Sequence, residues 1–135
     1  MPKLFSDEWI KEYMKAINES EEYAEAAKDW EGDFLFVIEP DEELKEPLYG
    51  YLDLYHGKAR EGYAVDDPSK VNAAFEFRGK YSNWKKLLNG EIDPIKGLVT
   101  GQFKLKGNMA KVMRYAKAAK ILVDCVKKVP TELPE

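Results

Sequence analysis

The chain has 135 residues, of which 44% are apolar, so it has the length of one domain and enough apolar side chains to form a core without disulfides or metals. Its 21 Lys and Arg face 25 Asp and Glu, and the resulting formal charge of −4 argues against nucleic acid as a partner. Cys125 is the only cysteine and His56 the only histidine of the sequence, which excludes an intrachain disulfide and a Cys/His zinc cluster. No apolar run is long enough to span a membrane, and the first residues do not resemble a secretory signal. We therefore expect a cytoplasmic protein without metal or cofactor.

The first half of the chain predicts two helices followed by four strands. Ser6 and Ser20 are N-cap residues, the first of a three-turn amphipathic helix and the second of a helix over Glu21 to Asp29. Phe34 to Ile38 is apolar at every position, which predicts a central strand covered on both faces. Polar and apolar residues then alternate from Leu48 to Tyr55.

A hairpin is predicted at His56-Gly57, because alternating segments lie on both sides of this turn. In the return strand, Lys58 to Val65, the pattern places Ala59, Tyr63 and Val65 on one face. A fourth, half-buried strand is predicted over residues 73–78 and ends at Gly79.

The second half predicts two short helices, one strand and one long helix. Ser82 is the expected N-cap of the first short helix and Asp93-Pro94 starts the second. Residues 102–106 alternate as a strand, and Asn108 caps an amphipathic helix from Met109 to about Lys128. This order predicts an α+β fold: a five-stranded, largely antiparallel sheet with about five helices packed on one face.

The residues suited to catalysis give little support for an enzyme. A Ser/His/Asp triad needs an imidazole held by a carboxylate, and the one imidazole of the chain, that of His56, lies in a predicted turn beside solvent. Cys125 lies beside an apolar stripe, which disfavours a reactive thiolate. The acidic run Glu39 to Glu46 lacks the spacing of a calcium loop. We expect no catalytic residues, although an enzyme that uses carboxylate or Tyr/Lys chemistry stays open as a weaker alternative.

Two further features leave alternatives open. Aromatic residues form 13% of the chain, and their pattern fits either a packed core or a core that encloses an apolar pocket. Basic residues gather on the fifth strand and the last helix, which fits a solvated face or a transient contact with a membrane surface. For the second case we expect the contact through Lys104, Lys106, Lys111 and Arg114.

The stretch from Asn83 to Met109, NWKKLLNGEIDPIKGLVTGQFKLKGNM, resembles the sterol carrier, or nonspecific lipid-transfer, domain family. The resemblance consists of a short helix that begins with Trp, a Gly-Glu-x-Asp-Pro joint, a Gly-x-Phe-Lys-x-x-Gly strand and a helix opened by Gly-Asn-Met. These features are Trp84; Gly90, Glu91, Asp93 and Pro94; Gly101, Phe103, Lys104 and Gly107; and Asn108 and Met109.

The resemblance implies a five-stranded sheet and five helices around a hydrophobic tunnel that accepts an acyl chain, a sterol or a similar apolar molecule. It implies binding and transfer without catalysis. The chain lacks the peroxisomal targeting tripeptide of some members, so we expect a fatty acyl or other lipid rather than a sterol. By motif position, the predicted tunnel wall includes Ile95, Leu98, Val99, Phe103, Leu105, Met109, Val112, Met113 and Ala116. The predicted domain covers residues 1–129, and residues 130–135 form a mobile C-terminal tail.

Two functions therefore compete. The first is a soluble intracellular lipid-binding or lipid-transfer protein with an apolar small molecule in its tunnel. The second is a non-catalytic accessory or interaction module that presents an apolar substrate to a partner enzyme.

Overall fold

The computed structural model describes residues 1–134, which contain five β-strands, six α-helices and two short 3₁₀ helices. The α-helices are α1 Asp7–Asn18, α2 Glu21–Ala26, α3 Tyr81–Leu88, α4 Pro94–Val99, α5 Met109–Arg114 and α6 Ala116–Asp124. The strands are β1 Glu31–Glu39, β2 Leu48–Tyr55, β3 Lys58–Val65, β4 Phe75–Lys80 and β5 Phe103–Lys106. The 3₁₀ helices are Pro68–Lys70 and Cys125–Lys128. In this range, no helix is both long enough and apolar enough to cross a bilayer.

The strands form one sheet in the order β3-β2-β1-β4-β5. β1 and β4 run parallel, with Phe34 opposite Phe75, and the other neighbouring strands are antiparallel. The α+β class and the largely antiparallel sheet are therefore confirmed. The hairpin between β2 and β3 is also confirmed, since both turn residues, His56 and Gly57, have positive φ angles.

The two faces of the sheet have different covers. Phe34, Phe36 and Ile38 of β1 face the helices and pack with the main core. Leu35 and Val37 face the other way and are buried under tyrosines of β2 and β3, so both faces of the central strand are covered as predicted. The six α-helices pack on the first face, which makes the space between sheet and helices the place for an internal cavity.

A β-bulge corrects the predicted faces of β3. The register shifts after Asp53, so that Leu54 pairs with Ala59 while Asp53 pairs with Glu61. The bulge places Ala59 with Leu54 in the main core, whereas Val65 packs in the small cluster on the opposite face. The prediction that Ala59 and Val65 share a face is wrong because one extra residue inverts the alternation.

Two predicted boundaries in the first half shift by a few residues. α2 ends at Ala26 rather than Asp29, and the following turn, in which the Trp30 amide donates to the Ala27 carbonyl, leads into β1. β4 includes Gly79, because its parallel pairing with β1 continues as far as Lys80. A Cβ atom on Gly79 would lie 2.5 Å from the Phe103 ring, so only glycine permits that ring to pack on the strand.

The predicted N-cap of α3 is wrong. The helix begins at Tyr81, and Ser82 lies inside its first turn. The Ser82 amide instead donates to the carboxylate of Asp41, 2.7 Å away, which also accepts the amides of Glu43 and Leu44. An acidic side chain from the loop after β1 thus takes the capping role and ties this loop to α3.

The predicted long C-terminal helix is interrupted. α5 ends at Arg114 and α6 begins at Ala116, with Tyr115 between them at φ −107° and ψ 32°. The Tyr115 ring packs edge-on against Trp30, with 5.1 Å between ring centroids. The apolar spacing continues across the break, so periodicity alone does not locate it.

The segment predicted to be a mobile tail makes hydrogen bonds over its described residues, 130–134. The Glu132 carbonyl accepts the Leu4 amide, and the Glu132 amide donates to the Pro2 carbonyl. The Tyr81 hydroxyl donates to the Pro134 carbonyl. Glu135 lies outside the described residues.

Candidate functional site

An apolar cavity lies between the helical face of the sheet and helices α1, α3, α4, α5 and α6. The centre of a water-sized sphere can move within about 80 Å³ of it. Its wall is formed by Phe5, Trp9, Ile10, Tyr13, Phe34, Phe36, Leu52, Phe77, Trp84, Leu87, Leu88, Pro94, Ile95, Leu98, Val112, Ala119, Leu122, Val123 and Val126. No charged side chain is among these residues.

The polar atoms of the lining rings are all bonded to protein oxygens. The Trp84 indole N–H donates to the Val37 carbonyl at 2.9 Å, and the Trp9 indole N–H donates to a threonine hydroxyl at 2.8 Å. The Tyr13 hydroxyl donates to the Leu122 carbonyl at 2.6 Å, and burial raises the pKa of Tyr13, so it stays neutral. The cavity therefore offers carbon surface without free hydrogen-bonding groups, which suits a hydrocarbon chain.

α4 is fixed on the wall by local sequence signals. Asp93 accepts the amides of Ile95 and Lys96 at 3.0 Å each, and Pro94 occupies the first turn. A Cβ atom on Gly97 would lie 2.8 Å from the Phe103 ring, so glycine allows the helix to approach β5 closely. This approach directs Ile95 and Leu98 toward the cavity.

A second, smaller apolar cavity of about 40 Å³ adjoins the first. Trp30, Tyr23 and Tyr115 are in its wall but not in that of the main cavity. The two walls share Phe34, Val112, Ala119 and Leu122, which together form the partition between the cavities. A chain that passed from one cavity into the other would have to pass between these side chains.

The predicted wall residues occupy four kinds of position. Ile95, Leu98 and Val112 line the main cavity. Phe103 is buried and stacks on Phe77 at 4.8 Å between ring centroids, behind the cavity wall. Leu105 and Ala116 are partly buried outside both cavities, and the remaining three are exposed: Val99, Met109 and Met113. Contact of any of these residues with a ligand stays a prediction.

Most of the wall comes from residues that the sequence does not single out. Trp9, Ile10 and Tyr13 belong to α1, and Phe34 and Phe36 belong to β1. Their spacing shows that they face inward, but a side chain that packs on protein and one that borders a cavity have the same pattern.

The groups considered for chemistry are not part of the cavity wall. The His56 Nε2 atom is 2.7 Å from the Glu31 carboxylate at the exposed hairpin. Burial raises the pKa of Cys125, which opposes thiolate formation. Among residues 1–134, no three His, Cys, Asp or Glu side chains are grouped closely enough to hold a metal ion.

Known proteins show strong similarity over nearly the whole chain. The sequence matches the SCP-2 sterol transfer family over residues 10–120. A crystal structure of sterol carrier protein 2 is 33% identical, with a TM-score of 0.86 over 95% of this chain and 100% of that chain. A conserved hypothetical protein of Thermus thermophilus, described as a candidate sterol carrier protein, is 32% identical, with a TM-score of 0.86 over 96% of this chain and 92% of its own. No curated protein sequence matches.

A more distant structure shares the fold. Sterol carrier protein 2 from Yarrowia lipolytica, in its apo form, is 18% identical, with a TM-score of 0.58 over 86% of this chain and 87% of that chain. The fold and the apolar cavity define a small lipid-carrier type of domain. The chain belongs to the SCP-2 sterol transfer family.

Proposed function

We propose that the protein binds the hydrocarbon chain of a fatty acyl lipid in the main cavity and carries it without chemical change. The observation that supports this most directly is the apolar wall, in which the hydrogen-bonding atoms of Trp9, Tyr13 and Trp84 are already paired. Burial of each methylene contributes about 0.8 kcal/mol, so a long chain binds without directed polar contacts. Such a site selects by length and shape and only weakly by single carbons.

A non-enzymatic role fits the composition of the wall. Tyr13 is its only titratable side chain, and the hydroxyl of this residue donates to a backbone carbonyl. General acid or base catalysis needs a titratable group within hydrogen-bond distance of the substrate, with a pKa near the working pH. Neither His56 nor Cys125 is part of the wall.

Exchange of the ligand is proposed to occur at an anionic membrane surface. Residues 94–123 contain seven Lys and Arg and no Asp or Glu, while the remaining residues contain 14 basic and 25 acidic side chains. Three exposed apolar residues, Val99, Met109 and Met113, lie in the same segment. Exposed apolar side chains among unopposed cations are typical of surfaces that rest on anionic lipids.

The four basic residues expected at this contact differ in availability. Lys104 and Lys106 project from β5 and are exposed, as is Arg114 at the end of α5. Lys111 is partly engaged, because its Nζ atom donates to the Glu31 carbonyl at 2.5 Å and lies 4.8 Å from the centre of the Trp30 ring. We therefore assign the membrane contact mainly to the first three.

Cavity filling tests the proposal. Ala119 lies in the walls of both cavities, so Ala119→Leu places three more carbon atoms in the space proposed for the ligand. If these carbons replace three ligand methylenes, the affinity for hexadecanoate falls roughly 50-fold. Displacement of the neutral dye Nile red by hexadecanoate measures this affinity.

The matched control is Ala110→Leu, the same change at an exposed position of α5. It is expected to leave the affinity unchanged. Equal binding by both variants, with circular dichroism showing that both are folded, would contradict binding in the cavity. If the unmodified protein binds no fatty acid, the accessory-module alternative would take precedence, to be pursued by isolating a partner enzyme.

A further inference from the structure

A mixed polar groove borders the main cavity on the side of α3 and the C-terminal 3₁₀ helix. It is much roomier than the cavity, at about 670 Å³, and it is open to solvent. Its wall includes Lys85, Lys86, Lys127, Glu43 and Glu91. The groove and the cavity share Leu88 and Val126, so these two side chains form the boundary between polar and apolar space.

The three spaces adjoin one another in the order polar groove, apolar main cavity and apolar inner cavity. The groove meets the main cavity at Leu88 and Val126, and the main cavity meets the inner cavity at the partition that includes Phe34 and Ala119. An amphiphile has the same sequence along its length, from a charged head to a hydrocarbon tail. Burial of a carboxylate in the main cavity is strongly unfavourable in free energy, because the hydrogen-bond donors in the wall are already bonded and the charge would stay unpaired.

The charges around the groove differ in their availability. The Lys85 Nζ atom is 2.5 Å from the Glu43 carboxylate, so this pair is internally neutralised. Glu91 accepts a hydrogen bond from the Asn89 side chain at 3.1 Å. Lys86 is exposed and has no salt bridge within residues 1–134.

Lys127 reaches across the groove toward the joint between α3 and α4. Its Nζ atom lies 3.4 Å from the position that a Cβ atom on Gly90 would occupy. Its nearest carboxylate, that of Asp124, is 3.9 Å away, at the limit of a salt bridge, and the side chains of both residues are more than half exposed. Such a contact is weak, so Lys127 can turn to another anion at little cost.

We infer that the groove holds the anionic head of the ligand, a carboxylate or phosphate, between Lys86 and Lys127, and that its chain enters the cavity between Leu88 and Val126. This inference rests on the proposed function and gives the ligand a direction, with the tail pointing toward Trp30 and Tyr115. The ligand class is then an anionic single-chain amphiphile. A neutral lipid of the same chain would use the cavity without the groove.

Two ligands with the same chain but different head groups separate the contribution of the head to the affinity from that of the chain. The affinities of hexadecanoate and hexadecan-1-ol are measured by displacement of Nile red from the unmodified protein and from the double variant Lys86→Glu, Lys127→Glu. The variant is expected to bind hexadecanoate about five- to tenfold more weakly, since two favourable exposed charge contacts become repulsive. Its affinity for hexadecan-1-ol is expected to change less than about twofold, and the difference between the ligands should disappear in about 1 M NaCl.

A double variant with the same change of net charge, Lys15→Glu and Lys70→Glu, provides the control. Both residues are exposed, and neither belongs to the groove or to the cavity wall. An equal loss of hexadecanoate affinity in this control would show a long-range effect of net charge and overturn the inference. Unchanged hexadecanoate binding by the groove variant would also overturn it.

Different results would refute the proposed function and this inference. If neither ligand displaces the dye from the unmodified protein, the cavity binds no chain and both proposals are wrong. If both ligands bind equally well to all three proteins, the cavity binds the chain but the head lies elsewhere. A phosphate source is tested by repeating the series with monohexadecyl phosphate, for which the same loss in the groove variant is expected.

Discussion

The partition between the two cavities predicts how binding depends on the length of the ligand. Each methylene that enters apolar space contributes about 0.8 kcal/mol, which is about fourfold in affinity. Affinity for saturated fatty acids is therefore expected to rise fourfold per carbon and to level off when the chain meets the partition. The inner cavity measures about 40 Å³ against 80 Å³ for the main one, so joining them enlarges the free space by half.

Phe34→Leu is the change that opens this partition. The Phe34 ring belongs to the walls of both cavities and stacks on Phe36 and Phe75 at 5.2 and 5.1 Å between ring centroids. A leucine keeps an apolar side chain but removes the flat ring, so a chain can extend further. Two additional methylenes would bind about 1.6 kcal/mol more tightly, roughly 15-fold.

The assay is a Nile red displacement series from octanoate to icosanoate. Phe36→Leu is the matched control, because Phe36 lies on the same strand face but borders only the main cavity. We expect the chain length at which affinity levels off to increase in Phe34→Leu and to stay constant in the control. An identical plateau in both variants would refute the assignment of Phe34 to the partition.

Three other predictions follow from individual contacts. Tyr13→Phe removes the donor to the Leu122 carbonyl and should lower the free energy of unfolding by about 1–3 kcal/mol, measured by urea denaturation, whereas an unchanged value would show that this carbonyl finds another donor. Partial burial alone would raise the pKa of Asp41, but hydrogen bonds from the backbone amides of Glu43, Ser82 and Leu44 lower it, and the net shift of the pKa is downward. The ionised Asp41 therefore stabilises the fold at pH values above its unfolded pKa. This contribution is lost as the pH falls below about 4. Asp41→Asn should lower the melting temperature at neutral pH and weaken its dependence on acid, and parallel acid curves for both proteins would contradict this. Reversal of charge at Lys104 and Lys106 should reduce co-sedimentation with phosphatidylserine vesicles without changing hexadecanoate affinity, and undiminished sedimentation would remove these residues from the membrane contact.

Local signals in the sequence were sufficient for most of the fold. Ser6, Ser20, Asp93 and Asn108 each accept an amide of the first helical turn, as their N-cap assignments predict. Capping and turn formation depend on a few consecutive residues, so they can be read from short patterns. The alternation of β2 is likewise preserved in its burial.

Features that depend on tertiary contacts could not be predicted from the sequence. The cap on α3 comes from Asp41, which is 41 residues away in the chain, and the bulge in β3 depends on its pairing with β2. The break at Tyr115 coincides with the packing of its ring on Trp30, a residue of the other half of the chain. No pattern within a single element contains this information.

The resemblance implied a tunnel, whereas the structure has two adjoining apolar cavities, and only part of their walls was indicated from the sequence. The family resemblance covers residues 83–109, so it indicated Ile95 and Leu98 on α4, both of which line the cavity. It could not indicate Trp9 or Tyr13, because α1 has no comparable motif and its inward residues look like ordinary core. Whether an inward side chain meets protein or free space depends on how all layers pack together.

The measurement that tests the central claim most directly is isotope-filtered NMR of ¹³C-labelled protein with unlabelled hexadecanoate. We expect intermolecular NOEs from the chain methylenes to the methyl groups of Leu98, Val112 and Leu122, at one-to-one stoichiometry. NOEs confined to exposed methyl groups, such as those of Val99 and Met113, would place the lipid on the surface and contradict a carrier that encloses its ligand.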